Sequence, residues 1–240
     1  MARPWPKGIV RCIAVNISNT SFFDIRLTKG FRFCFRKGMS AGNIPGWLPV
    51  LYYSSTDRFI FTLKSMRKVQ LYIAASIDGY IARPDGGVDW LSKVEKEGED
   101  YGYGSFIASI DTTLMGRKTY DEVLGFGVPF PYMNTANYVF TRQERQPDNN
   151  PVQFIREDPA DFVGKLREQP GGNIWLIGGG GLNTVLLNAG LIDEMILSVI
   201  PIVLGEGIPL FGGQPKETHW KVAEHQVFDT GLVQLRYLKG

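Results

Sequence analysis

Residues 174–183 read Ile174-Trp175-Leu176-Ile177-Gly178-Gly179-Gly180-Gly181-Leu182-Asn183. An apolar run passes into four glycines and then into Leu182, Val185 and Leu186 at helical spacing, so a strand turns directly into a helix here. Glycine lets backbone approach an anion closely, and the free N–H groups of the following helix point at the same spot. The stretch therefore predicts a pyrophosphate cradle at the carboxyl end of a strand, although the same glycines would also serve a tight turn and nothing more. It is not the dinucleotide fingerprint of a Rossmann fold, because Asn183 stands where the third glycine is required and no acid closes a second strand about twenty residues on.

Two further junctions share this logic. Thr112-Thr113-Leu114-Met115 runs into Gly116-Arg117-Lys118-Thr119-Tyr120, which sets two cations and a hydroxyl at a helix N-terminus. Cations are normally avoided at that end of a helix, so a bound phosphate would account for them; a solvated surface turn is the plainer alternative. Tyr138-Val139-Phe140-Thr141-Arg142 places a hydroxyl and a guanidinium after a third strand. Three such sites on one sheet edge fit a cofactor with several phosphates better than a single small anion.

Around these junctions strand-like and helical runs alternate. Strands are predicted at 69–75, 112–115, 137–141, 152–155, 174–177, 194–203, 219–227 and 232–238, and helices at 97–109, 117–124, 159–168 and 180–189. That order predicts an α/β layer fold whose sheet is mainly parallel and gains antiparallel strands at its C-terminal end. Trp220, Val222, Val227, Phe228 and Leu232 suit either a homodimer face or a single core.

Charge divides the chain. The 240 residues carry a net charge of only +2, which argues against a nucleic-acid-binding surface. Residues 1–65, however, hold ten basic and two acidic groups, whereas the remaining 175 hold sixteen and twenty-two. Both cysteines, Cys12 and Cys34, lie in the basic part, and the two histidines, His219 and His225, sit far away without metal-ligand spacing. No disulfide framework and no metal site are expected in the main body. No run approaches the roughly 18 apolar residues of a membrane span, and no unbroken secretory h-region is seen, so a cytoplasmic location without membrane contact is expected. Residues 1–65 show no sustained period and are expected to lie outside the fold as a basic leader, with Met66 a candidate natural start; residues 66–240 form the expected domain. An interaction arm, RNA-binding included, and an organelle-directing leader are the rival readings of 1–65.

The series Ile73-Ala74-Ala75, Ile81-Ala82, Met115-Gly116-Arg117-Lys118-Thr119, Val139-Phe140-Thr141-Arg142 and Ile177-Gly178-Gly179-Gly180 resembles the dihydrofolate reductase fold in type, order and spacing across residues 67–240. Within that superfamily, Ala75-Ser76-Ile77-Asp78-Gly79-Tyr80-Ile81-Ala82 and Leu204-Gly205-Glu206-Gly207-Ile208-Pro209-Leu210-Phe211 are similar to the reductase domain of riboflavin biosynthesis and its stand-alone bacterial relatives. The resemblance implies a three-layer fold with helices on both faces of the sheet and an NADPH-dependent hydride transfer. It places Gly178, Gly179, Gly180, Gly181 and Leu182 on the pyrophosphate, with a cis peptide between Gly178 and Gly179. Gly116 opens the second cradle, where Arg117, Lys118 and Thr119 meet phosphates. Thr141 and Arg142 lie near the adenosine 2′-phosphate, and Ala75 and Ile81 lie beside the nicotinamide. So many cations at the cradle fit NADPH better than NADH.

The substrate implied is a small planar nitrogen heterocycle. Tyr80 stands where riboflavin reductases typically carry lysine, their Thr-rich segment followed by Asp-Asp-Pro is absent, and no deaminase zinc set precedes the fold. Gly86-Gly87-Val88-Asp89-Trp90 matches the Trp-containing loop of folate reductases only loosely, so a pterin and a riboflavin pyrimidine precursor both stay open. A proton must accompany the hydride, and Asp100 is the expected acid because its spacing to Arg117 matches the family, with Asp78 as the second candidate. Solvated surface charge and a turn-forming Asp-Gly pair are the plainer readings of these two. The alternative of another class is an NADP(H)-binding protein without turnover.

Overall fold

The computed structural model describes residues 47–53, 59–144 and 150–240. The chain divides into two units, Met1–Met66 and Arg67–Gly240. In the first, β1 (Trp47–Tyr53) and β2 (Phe59–Ser65) pair antiparallel, with Trp47 opposite Ser65 and Tyr53 opposite Phe59. This hairpin lies within residues 1–65, where the sequence shows no sustained period. Both runs are rich in aromatic and branched residues but do not alternate, so strand propensity was present without a period to reveal it. Cys12, Cys34 and most of the basic residues of 1–65 lie outside the described residues.

The second unit is built on β3 (Val69–Ser76), β4 (Tyr80–Ala82), a 3-10 turn at Asp89–Val94, α1 (Tyr103–Ile107), β5 (Ile110–Gly116), α2 (Arg117–Gly125), β6 (Ala136–Phe140), β7 (Val152–Ile155), α3 (Pro159–Arg167), β8 (Asn173–Gly178), α4 (Gly180–Asn188), β9 (Glu194–Ile200), β10 (Ile208–Pro209), β11 (Trp220–Val227) and β12 (Val233–Lys239). Eight of these strands form one sheet in the order β11-β12-β9-β3-β8-β5-β6-β7. From β9 to β7 every pairing is parallel, and β12 and β11 add the antiparallel end. This is the expected mixed, mainly parallel α/β sheet.

Side-chain alternation makes the layers. Leu114 and Met115, neighbours on β5 and both fully buried, point to opposite faces. Leu114 joins Leu71, Ile174 and Leu176 under α3 and α4, where Val163, Leu166, Leu182, Leu186 and Leu187 close the core. Met115 and Val139 meet Tyr120 and Val123 of α2 on the other face. Next to them Tyr72, Phe106 and Trp175 form an aromatic layer. Each fully buried leucine stabilises the fold by roughly 2 kcal/mol.

Ion pairs tie the amino edge of the sheet. The buried Arg67 guanidinium donates to the Gly172 carbonyl at 2.8 Å and to Thr112 Oγ1 at 2.5 Å, and it also pairs with Asp111. Asp193 accepts from the Val69 N–H and from Arg167, both at 2.8 Å, while burial raises its proton affinity against these attractions. With that edge locked, the carboxyl edge is left to the loops that could hold ligands.

Where the structure departs from the expected elements, backbone geometry explains it. The helix expected at 97–109 shrinks to Tyr103–Ile107 because Gly98, Tyr101 and Gly102 adopt φ of 79°, 54° and 78°. The strand expected to run to 203 stops at Ile200, ahead of Pro201, which has no N–H to give the ladder. Of the residues suited to a core or a dimer face, Leu232 is buried, whereas Val222 and Val227 on the outer strand are exposed. Among the described residues no helix is long and apolar enough to cross a membrane.

Candidate functional site

The carboxyl ends of β8, β5 and β6 lie side by side, with Met115 opposite Gly178 and Gly116 opposite Phe140. The two helices that leave them, α4 and α2, start behind Gly179 and Gly116, and neither N-terminus has a side-chain cap. Their first-turn N–H groups are thus directed at the same stretch of the sheet edge with no side-chain oxygen from the cap position. The Gly178–Gly179 peptide is cis, and Gly178 has φ 114°. The junctions touch: a Cβ on Gly179 would stand 3.3 Å from Thr119 Oγ1. A Cβ on Gly180 would stand 2.2 Å from the Pro209 carbonyl oxygen, so that position admits only glycine without a backbone shift.

Around this cradle Arg117, Lys118 and Arg142 are exposed, as are Gly181 and the side chain of Gln143. Arg117 Nε lies 3.2 Å from Asp121 Oδ2 one turn on, and its Nη1 donates to Gln143 Oε1. Thr141 is buried at the end of β6; its hydroxyl accepts from the Gln143 N–H at 3.1 Å and donates to the Gln143 carbonyl at 3.2 Å. Arg117 and the residue after Arg142 are therefore stitched together at the outer end of the cradle. Ala75 is buried on β3, beside β8, and faces Val199 of β9. Half-buried Ile81 belongs to β4, which pairs with β10. The carboxyl ends of β5, β6 and β8, and with them residues 116, 140–141 and 178, thus lie along one edge, whereas Ile81 lies outside the eight-stranded sheet on β4.

Asp78 and Asp100 are spent on backbone. Asp100 Oδ1 and Oδ2 accept from the N–H groups of Gly102 and Gly104 at 2.9 and 3.0 Å, and these bonds hold its carboxyl below the ordinary carboxylate range. Asp78 accepts from Leu204 at 3.1 Å and Gly205 at 2.7 Å. The Ser76 hydroxyl and then these N–H groups lower its proton affinity as well. A general acid needs the opposite shift, so the electrostatics of both carboxyls run against the role expected of them.

The sequence reading passed over a neutral polar cluster on the α1–α2 face of the sheet. Ala74, Ser198 and Gln234 lie in one row across β3, β9 and β12. Gln234 Nε2 lies 3.1 Å from Ser198 Oγ, 3.1 Å from the Tyr101 carbonyl and 3.4 Å from the Tyr72 hydroxyl, which itself donates to the Tyr101 carbonyl at 3.1 Å. Tyr72 stacks on Phe106 with ring centroids 4.6 Å apart, and burial pushes its phenol up, so it remains an uncharged donor at neutral pH. A tyrosine inside an apolar strand reads as core, and only the register shows that it shares this face with Ser198 and Gln234.

The model of the RibD C-terminal domain matches residues 67–234. The protein YwjB of Bacillus subtilis (strain 168) is 42% identical over 173 residues, covering 72% of this chain and 98% of its own length. A solved structure from Shewanella sp. PV-4, of a protein provisionally assigned to riboflavin biosynthesis, is 31% identical with a TM-score of 0.66 and covers 72% of this chain and 99% of that one. The Thermotoga maritima diaminohydroxyphosphoribosylaminopyrimidine deaminase/5-amino-6-(5-phosphoribosylamino)uracil reductase shares the fold at 17% identity and a TM-score of 0.57, over 73% of this chain and 57% of that one.

Proposed function

Because the chain belongs to the RibD C-terminal domain family, we propose that it is an NADPH-dependent reductase of a planar nitrogen heterocycle. The observation that carries this reading is the pair of uncapped helix N-termini that meet at the glycine cradle. The fit to a dinucleotide is steric as well as electrostatic, since a side chain at Gly179 or Gly180 would crowd Thr119 or Pro209 and close the approach.

In this reading the N–H groups of Gly180, Gly181 and Leu182, with Gly178 and Gly179 beneath them, bind the pyrophosphate. Arg117, Lys118 and Thr119 bind phosphate oxygens from the side of Gly116. Arg142, with Thr141 holding the turn that presents it, meets the 2′-phosphate. Ala75 and Ile81 would border the nicotinamide. The cofactor supplies the hydride. Tyr72, Ser198 and Gln234 offer the substrate ring neutral hydrogen-bonding partners, and the accompanying proton comes from water, because Asp78 and Asp100 are ionised at neutral pH and engaged with backbone N–H groups. The named relatives point the substrate toward the riboflavin pyrimidine precursor, with a pterin as the other candidate ring.

The same occupied carboxylates favour one second reading, an NADP(H)-binding protein without turnover. NADPH titration of the protein, followed by NADPH oxidation with 5-amino-6-(5-phosphoribosylamino)uracil and with dihydrofolate, separates the two. Binding with oxidation on either ring is the expected result. Binding without oxidation selects the second reading, and absence of NADPH binding removes both.

A further inference from the structure

We infer that Asp78 and Asn183 are the two positioning residues of a clasp, formed by residues 204–212, that sets the spacing between the nicotinamide loop and the pyrophosphate cradle. The inference rests on the cofactor placement proposed above. At one end the segment is bound to the loop that follows β3. Asp78 receives the Leu204 and Gly205 N–H groups, the Leu210 N–H donates to the Gly79 carbonyl at 2.9 Å, and Ile208 pairs with Ala82. Gly207 lies so close to this loop that a Cβ would stand 2.2 Å from the Ala82 carbonyl oxygen. At the other end the segment is bound to the first turn of α4. Asn183 Nδ2 donates to the Leu210 carbonyl at 2.8 Å, and the Gly212 N–H donates to the Gly180 carbonyl at 3.0 Å. Leu210 is thus bonded through its N–H to one ligand loop and through its carbonyl to the other.

Asn183 is the informative residue. It is fully buried on α4 between Leu182 and Leu186, and its Oδ1 has no partner among the described residues. A buried amide with one unmet acceptor costs stability, and a leucine in the same space would not carry that cost. What the amide does that leucine could not do is hold the Leu210 carbonyl. Asp78 likewise makes no ion pair with a side chain among the described residues, and beyond the neighbouring Ser76 hydroxyl its carboxylate oxygens accept from backbone N–H groups 126 and 127 positions away. Each residue spends its side chain on the clasp.

A spacing role has a specific signature, because NADPH spans both loops whereas 2′,5′-ADP occupies only the phosphate half. The test is calorimetric titration of the full chain and of Asn183→Leu, Asp78→Ala and Asp78→Asn with both ligands. Asn183→Leu and Asp78→Ala are expected to weaken NADPH about tenfold, the loss of one or two well-placed hydrogen bonds, and to leave 2′,5′-ADP unchanged. Asp78→Asn, which keeps one acceptor, is expected to recover part of the loss. An equal weakening of both ligands, or no change in either, overturns the clasp. If Asn183→Leu does not fold, the exposed Asp78 variants decide the matter alone. A wild-type protein that binds 2′,5′-ADP and NADPH while the variants bind both ligands as the wild type does sinks only the clasp; a wild-type protein that binds neither sinks the cofactor reading itself.

Discussion

Gly180 has no space for a side chain, since the position of its Cβ lies 2.2 Å from a backbone oxygen of Pro209. Backbone cannot retreat as a flexible side chain does, so Gly180→Ala is expected to cost ~3 kcal/mol, read in chemical denaturation, and to weaken NADPH more than it weakens the fold. The exposed cations behave differently. Arg142→Ala should narrow the preference for NADPH over NADH about tenfold, because it removes a charged partner of the extra phosphate only. Arg117→Ala should weaken both cofactors alike, and titration with each of the two separates these outcomes. A variant at Arg117 with unchanged affinity would mean that the phosphates lie elsewhere.

At the scale of elements, α3 shows how local chemistry starts a helix. Asp158 accepts from the N–H groups of Ala160 and Asp161 at 2.8 and 3.2 Å, and Pro159 opens the first turn without an N–H to satisfy. Asp158→Ala is expected to cost about 1 kcal/mol in thermal unfolding, the usual worth of a side-chain cap. The clasp gives a pH dependence with a definite sign. Asp78 binds its proton less tightly when folded than the ordinary carboxylate value of 3.8, so its bonds to 204 and 205 persist above that value and are lost as the pH falls through the depressed one. The gap in NADPH affinity between wild type and Asp78→Ala should therefore be constant at neutral and mildly acidic pH and close only in stronger acid. Strands with a continuous apolar run, β3 and β8, and helices with a clean three-and-four spacing, α3 and α4, were legible because burial on both faces or on one stripe is written directly in residue type. The two-residue β10 and the three-residue β4 were not, because pairing across more than a hundred residues places them, and no local period is long enough to show it. The cradle was legible from Gly178 to Leu182 for the same local reason, whereas the Tyr72, Ser198 and Gln234 cluster needs three strands in register before it exists.

For the whole molecule, we propose that residues 66–240 are the complete cofactor-binding body. A chain beginning at Met66 is then expected to bind NADPH with the affinity of the full chain, and a tenfold loss in the same titration would assign residues 1–65 a part in the site. The locked amino edge supports the expectation, since Arg67, the second residue of that shorter chain, is already buried in its bonds to Gly172 and Thr112.

The contrast between a glycine row packed against Pro209 and three cations standing in solvent has an evolutionary consequence. Substitutions at 117, 118 and 142 touch little of the core, so under the proposed cofactor placement selection could retune nucleotide choice in single steps with small loss of folding stability. A substitution at 180 has no such gradual route, because it must be accompanied by movement of the backbone at Pro209. A library that varies the cations and leaves the glycines fixed would sample cofactor choice among chains that still fold.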